Sequence, residues 1–397
     1  MSKKVLLIPD AFFDGQSGAL VANEVAELYS NKGYSVGVFI ENSHLGSMPE
    51  YSYFNRMALT GFSNWNEQKY SIEYTETLKS FKPDLVFFIG AIVNKNLCYF
   101  KISKEAKVKV AVMLFIQDFF CNRLYANLKD GPCTRCLDGS YFNALKNKCN
   151  VDNLFGIFKL ANNTIFRTQL KKLLKDVDYV IGSTYEQLDF YQKFGISKDK
   201  LLNYPLFFNS KRIDRLDIKM GGYFICSGQD RLEKGIHLLK NILPHSRKSK
   251  LKLVFSDQNS ASNVISKYGL QPFIENGQLS VIGGIKWETG LDKLYSESRG
   301  VVNLSIWPTT TEYALLEALG LQKPVIAFDI GIHSEKIING FNGFKVAISD
   351  FEKFGSFMDQ VTLDDDLYNK LSVGAFELYK ELTKKESFEN CLETIIN

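Results

Sequence analysis

Short apolar runs, each followed by a loop and then a helical repeat, recur along this sequence in two successive sets. Val5–Pro9 carries no polar residue, the pattern of a strand buried on both faces of a parallel sheet. Gly15 and Gly18 follow in a small-residue loop, and Ala19–Asn31 places Leu20, Val21, Val25 and Leu28 at helical spacing. Lys32–Gly33 closes that helix and Tyr34–Ile40 reads as a second strand. Leu85–Ile89, Val110–Ile116 and Tyr179–Ile181 are further buried strands, the last leading through Ser183 into an aromatic helix at Tyr185–Phe194. Repeated units of this kind predict a doubly wound parallel sheet.

Leu201–Leu206 ends the first set. Between Asn209 and Lys219 the charge rises and the hydrophobic period fades, as in a linker. The pattern then restarts with a strand at Tyr223–Cys226 and a loop, Gly228–Gly235, entering a helix. Leu251–Phe255, Leu279–Ile282, Gly300–Leu304 and Pro324–Phe328 read as strands, with a helix at Tyr313–Gly320 and helical sequence from Asp366 to Ile396. A chain of 397 residues exceeds what one core supports. The expected fold class is α/β, two Rossmann-like parallel-sheet domains facing a cleft. Their expected bounds are 1–208, with a cysteine-rich insertion at 118–150, and 209–380; residues 381–397 form a helix crossing back to the first domain.

With 45% hydrophobic and 23% charged residues, the chain is not of disordered composition. A net charge of +4 suits anionic partners such as nucleotide diphosphates or a membrane surface. It lacks the dense basic stripe of a nucleic-acid binder, so no nucleic acid is expected. No apolar run is long enough to cross a bilayer. The run VLLIP is short for a signal peptide, and Asp10 and Asp14 soon interrupt it with charge. A cytoplasmic protein is expected, with its seven cysteines as thiols or metal ligands rather than disulfides.

Two segments carry candidate binding chemistry. In Gly228–Gly235, a glycine after a strand permits a tight turn, and Arg231 and Lys234 stand at the expected helix start. Backbone N–H groups, the helix dipole and two cations would together hold an anion; a solvated basic loop is the plainer alternative. In the second segment, Glu317 lies within the apolar stretch Ala314–Leu319. A carboxylate there is costly to bury without partners, and ribose hydroxyls are suitable ones; a glutamate on the wet face of the helix is the alternative. Gly331 and Glu335 follow in another glycine turn. The acidic run Asp364-Asp365-Asp366 reads as a helix cap rather than a metal site.

These motifs, in this order, resemble the retaining glycosyltransferases of the GT-B architecture, specifically the large family 4 (group 1) grouping. The resemblance rests on the loop from Gly228 to Lys234-Gly235, the Pro-containing turn into a helix bearing Glu317-Ala318, and Lys323-Pro324-Val325. It continues through Gly331, Glu335, Gly340, Asn342 and Gly343, and in the first half through the glycine loop near Gly15 and the stretch from Asp178 to Ser183. It implies that Lys234 contacts the diphosphate of a nucleotide-sugar donor, UDP-sugar favoured, and Glu317 its ribose. Gly15, Gly18, Gly228, Gln229, Thr309, Glu312 and Gly331 are counted with the donor site; Arg231, Gln117 and Asp118 are counted with Lys234 as catalytic candidates. Gln229 stands where the family often has arginine, Thr309 where its paired glutamates need an acid, and Gln117-Asp118 where it often has histidine.

The implied reaction is glycosyl transfer with retention to a glycan, lipid-linked or small-molecule acceptor, in surface polysaccharide or glycoconjugate synthesis. No cofactor is required, since front-face substitution needs chiefly electrostatic stabilisation of the leaving diphosphate. A non-catalytic GT-B protein that binds a glycan or a partner transferase is the alternative.

Cys121, Cys133, Cys136 and Cys149 fall within 29 residues around a C-x2-C core. Four thiolates suit tetrahedral zinc, read as a structural staple, and a similar stretch occurs in some family 4 glycosyltransferases. Phe155–Lys175 interleaves apolar residues with Lys159, Arg167, Lys171, Lys172 and Lys175. Such a helix suits peripheral contact with the inner face of the cell membrane; a domain helix with lysines in water is the alternative.

Overall fold

The computed structural model describes residues 2–10, 17–41, 51–56, 67–90, 96–128, 131–151, 153–204, 213 and 216–397. The chain forms two compact units: Met1–Ala126 with Cys133–Phe207 and Lys385–Asn397, and Asn127–Pro132 with Phe208–Lys384. Gly15 and most of the expected linker lie outside the described residues.

The first unit contains β1 (Lys4–Pro9), β2 (Ser35–Glu41), β3 (Ser52–Arg56), β4 (Leu85–Ile89) and β5 (Lys109–Met113). The short antiparallel pair β6 (Asn127–Leu128) and β7 (Gly131–Pro132) is grouped with the second unit, and the first continues with β8 (Tyr179–Gly182) and β9 (Leu201–Asn203). The seven-stranded sheet runs β3-β2-β1-β4-β5-β8-β9, every pair parallel. Each residue of Leu85–Ile89 is buried, which is why the run alternates nowhere: helices cover both faces. Thr184 caps the helix Tyr185–Phe194 by accepting from Gln187 N, and Gly195 ends it in the left-handed region at φ 100°. The last helix, Lys385–Ile396, buries Phe388, Leu392 and Ile395 in this unit. Tyr29 Oη donates to Leu392 O at 3.1 Å.

The second unit contains β10 (Phe224–Ser227), β11 (Leu251–Val254), β12 (Leu279–Ile282), β13 (Gly300–Asn303), β14 (Val325–Phe328) and β15 (Gly343–Val346). Its sheet, also wholly parallel, runs β12-β11-β10-β13-β14-β15. Phe224, Leu253, Ile326, Phe328 and Phe354 belong to one buried cluster beneath the covering helices. Asp364 caps the helix Asp365–Leu382 by accepting from Leu367 N, and Asp365 takes Arg299 Nη2 at 2.6 Å. Those acids are therefore structural. Both units are parallel-sheet α/β domains. Among the described residues no helix is long and apolar enough to cross a membrane.

Candidate functional site

In the second sheet the strand order reverses between β10 and β13: the chain leaves β10 toward β11 on one side and β13 toward β14 on the other. The loops beyond these two strands diverge, and the opening at their carboxyl ends is where an open parallel sheet takes a ligand. Lys234 lies on the loop after β10; Thr309, Glu312 and Glu317 lie after β13.

The loop after β10 does not enter a long helix, contrary to the expectation from Gly228–Gly235. Leu232–Lys234 is one 3-10 turn, Ile236–Leu238 another, and only Leu239–Ile242 is α-helical. The cause is Gly235, left-handed at φ 68°, where a Cβ would stand 1.8 Å from Leu304 O. Ile306 N also donates to Glu233 O at 2.9 Å, tying the two diverging loops together. The loop after β10 thus brings no extended helix dipole to the site, and its own cationic contribution rests on the side chains of Arg231 and Lys234.

Lys234 Nζ stands 3.3 Å from Glu312 Oε1. Glu312 is the residue before the helix Tyr313–Gly320 and makes no side-chain cap to it; its carboxylate turns to the lysine instead. Burial acts to raise the Glu312 carboxyl, but Lys234, His333 and Asn303 outweigh it and hold the group below the ordinary glutamate value. His333 is fully buried, and burial pushes it down to about 4 against the pull of Glu312. It is a neutral imidazole at pH 7. Among the described residues, no hydrogen-bond partner reaches either of its buried ring nitrogens or Glu312 Oε2. Buried polar atoms are ordinarily hydrogen-bonded, so these three near the lysine suit a polar ligand.

Glu317, within the helix that Glu312 precedes, is 7% exposed. It acts on the phenol of Tyr295, whose pKa burial raises first and Glu317 next. Tyr295 Oη lies 2.5 Å from Ser227 Oγ at the end of β10. Lys234 and Glu312 in turn act on Cys226 in β10. Lys234, Glu312, Glu317 and His333 therefore gather at one end of one sheet.

Gly331 is left-handed at φ 55°, and a Cβ on it would stand 2.5 Å from Thr309 O. Ile332 N donates to that same oxygen at 2.9 Å. Thr309, 1% exposed, thereby anchors the turn that carries His333. Where the family resemblance asks for an acid at 309, the carboxylate near the lysine comes from 312. Arg231 Nε pairs with Glu233 Oε1 at 2.5 Å, and its Nη1 donates to Gln229 Oε1 at 3.3 Å. Both cations of the loop are thus held by acids. At Gly228 a Cβ would meet Ile236 at 3.5 Å, an ordinary contact.

In the first unit, Gly18 opens the helix Ser17–Asn31, where a Cβ would lie 3.2 Å from the Phe115 ring. Gln117 and Asp118 are buried beyond β5. Gln117 O accepts from Cys121 N at 2.8 Å and Asp118 O from Arg167 Nε at 2.9 Å, so both organise the turn into the cysteine stretch. The four cysteines are free and close enough to influence one another. Burial, then Cys121, Cys149 and Cys133, push the Cys136 thiol up to about 12. Among the described residues no three His, Cys, Asp or Glu are arranged to hold a metal, so no chemical step is assigned to zinc. His333, Asn303 and Tyr295 were not singled out from the sequence. The available signal was a histidine two residues after Gly331, in a chain with only four.

Residues 210–377 match the family described as Glycosyl transferases group 1. No curated protein sequence matches the chain. Among solved structures, a glycosyltransferase from Rickettsia africae is 16% identical, with TM-score 0.70 over 100% of this chain and 98% of that one. Anabaena HepE in complex with UDP and glucose is 13% identical, with TM-score 0.69 over 99% of each chain. Sucrose-phosphate synthase from Thermosynechococcus elongatus is 15% identical, with TM-score 0.67 over 99% of this chain and 98% of that one. These similarities extend over both units and establish the GT-B fold.

Proposed function

We propose, from the premise that residues 210–377 form a glycosyltransferase group 1 domain, that this protein transfers a sugar from a nucleotide-diphosphate donor, with a UDP-sugar favoured. The acceptor is a glycan, a lipid-linked saccharide or a small molecule, and the anomeric configuration is retained. The observation that carries this reading is Lys234 beside Glu312 at the strand-order reversal, with the ring nitrogens of His333 and Glu312 Oε2 buried near them and unpartnered among the described residues. HepE, of like fold, was solved with UDP and glucose, which supports the choice of nucleotide.

In this reading Lys234 meets the diphosphate and neutralises charge as it leaves. Glu312 restrains the ammonium group on its far side, so the cation is aimed before the donor arrives. Preorganisation of that kind lowers a barrier because no reorientation is needed as charge develops. Neutral His333 donates one N–H without adding charge. Glu317 accepts the ribose hydroxyls, its burial making those hydrogen bonds strong. Retention follows if the leaving diphosphate helps deprotonate an acceptor attacking from the same face.

The test is a panel of UDP-, GDP- and dTDP-sugars, following free nucleotide diphosphate. Slow release from a UDP-sugar, abolished in Lys234→Ala and Glu317→Ala, is the expected result. No turnover and no thermal stabilisation by any nucleotide would overturn the proposal in favour of a non-catalytic scaffold.

A further inference from the structure

The helix Leu154–Asp176 has an inner face that accounts for its folding: Phe166, Leu170 and Leu174 join the core of the first unit and Leu160 is buried. Its opposite face should then be polar. Over the first three turns it is not. Leu154 is 76% exposed, Phe155 63%, Phe158 69% and Ile165 59%. Leu154, Phe158 and Ile165, at i, i+4 and i+11, form one stripe.

The neighbouring helix Phe142–Lys146 packs against this one and adds Phe142, 72% exposed, and Leu145. Tyr141, just before it, lies under the guanidinium of Arg167 at 5.9 Å. Asn163 Nδ2 donates to Asn122 Oδ1 at 2.9 Å, fixing the cysteine stretch to the long helix. The apolar side chains therefore stand on a rigid platform. An apolar surface that no described residue covers marks an interaction site.

Charge identifies the occupant. Residues 119–175 hold ten Lys and Arg against three Asp, a surplus of seven, while the whole chain carries only +4. Lys146, Lys148 and Lys159 are exposed around the apolar side chains, as is Arg135, which donates to Asn147 Oδ1 at 2.6 Å. Exposed aromatic and aliphatic side chains ringed by cations match the boundary of an anionic bilayer: the rings enter the acyl region and the cations meet phosphate headgroups. Protein interfaces are depleted in lysine relative to the rest of the surface, whereas Lys146, Lys148 and Lys159 border this face.

We propose that the face built from Phe142, Leu145, Leu154, Phe155, Phe158 and Ile165 docks on an anionic lipid bilayer. Of a glycan, a small molecule and a lipid-linked saccharide, such a surface favours the lipid-linked acceptor. The docking itself does not depend on the donor chemistry.

The experiment is flotation of the full chain with vesicles of phosphatidylcholine alone, or mixed roughly 7:3 with phosphatidylglycerol. The protein is expected to float with the mixed vesicles and far less with the neutral ones. The double variant F155S/F158S should lower the bound fraction about tenfold or more, with an unchanged melting temperature because both rings stand in solvent. K146Q/K148Q/K159Q should lose binding to the mixed vesicles selectively. UDP binding should be the same in all variants, so failure here is separable from failure of the transferase reading. Absence of flotation with mixed vesicles, or wild-type flotation by F155S/F158S, would overturn the proposal. So would a lipid-free wild-type dimer that F155S/F158S converts to a monomer, which would assign the face to a second copy of the chain.

Discussion

Lys234 Nζ and Glu312 Oε1 stand 3.3 Å apart at the carboxyl end of the second sheet, the lysine about a quarter exposed and the glutamate nearly buried. Breaking such a pair on one side leaves a buried charge uncompensated, which costs more than the pair itself contributes. Lys234→Ala should therefore lower stability by about 3 kcal/mol and remove UDP binding. K234M/E312Q should recover most of the stability without recovering UDP binding. Urea unfolding of the two variants, beside calorimetric UDP titration, separates the structural and binding roles.

Glu317 is assigned to the ribose. Glu317→Gln should weaken UDP about tenfold or more, the value of a charge-assisted hydrogen bond, and leave the fold intact. A UDP analogue lacking the ribose hydroxyls should bind wild type and E317Q with nearly equal affinity. If E317Q weakens UDP and this analogue equally, the glutamate does not touch the ribose.

Gly235 is demanded by backbone geometry. At φ 68°, with a Cβ 1.8 Å from Leu304 O, Gly235→Ala should cost more than about 2 kcal/mol. It should also displace Lys234, one residue earlier, and so reduce UDP affinity in the fraction that folds. Chemical denaturation measures the first effect; calorimetry on the folded protein measures the second.

His333 makes stability depend on pH. Burial lowers it from 6.5 to about 4, so below pH 6.5 the unfolded chain takes up a proton that the folded chain refuses. Its stabilising contribution is complete above pH 6.5 and is lost as pH falls toward 4, by about 3 kcal/mol at most. Glu312, also held below its ordinary value, acts in the same direction at lower pH. Melting temperature against pH should fall between 6.5 and 4 in the wild type and less steeply in His333→Gln. Equal slopes in the two proteins would remove His333 from the account.

The central strands were legible because burial on both faces leaves a run without alternation: Leu85–Ile89 and Val325–Phe328 show it in both sequence and structure. The helices Tyr185–Phe194 and Tyr313–Gly320 were legible by their period. Edge strands β3 and β15 were not; each pairs on one side only, so Ser52–Arg56 and Gly343–Val346 carry mixed residues. The missing helix after Gly228 was hidden for another reason. What breaks it is the carbonyl of Leu304 against Gly235, a contact spanning some seventy residues that no local pattern encodes. The site divides in the same way. Lys234 and Glu317 stood out as charges in informative surroundings, whereas Glu312 gains its role from where the loop after β13 sets it. His333 gains its role from the turn that Gly331 makes on Thr309.

The central claim is a location: a nucleotide diphosphate bound where the loops after β10 and β13 diverge. Amide hydrogen exchange of the full chain with and without saturating UDP tests it most directly. Slowed exchange in peptides covering 228–236, 304–318 and 331–336, lost in K234A, is the predicted result. Bound UDP that protects other segments while leaving these three unchanged would contradict the account.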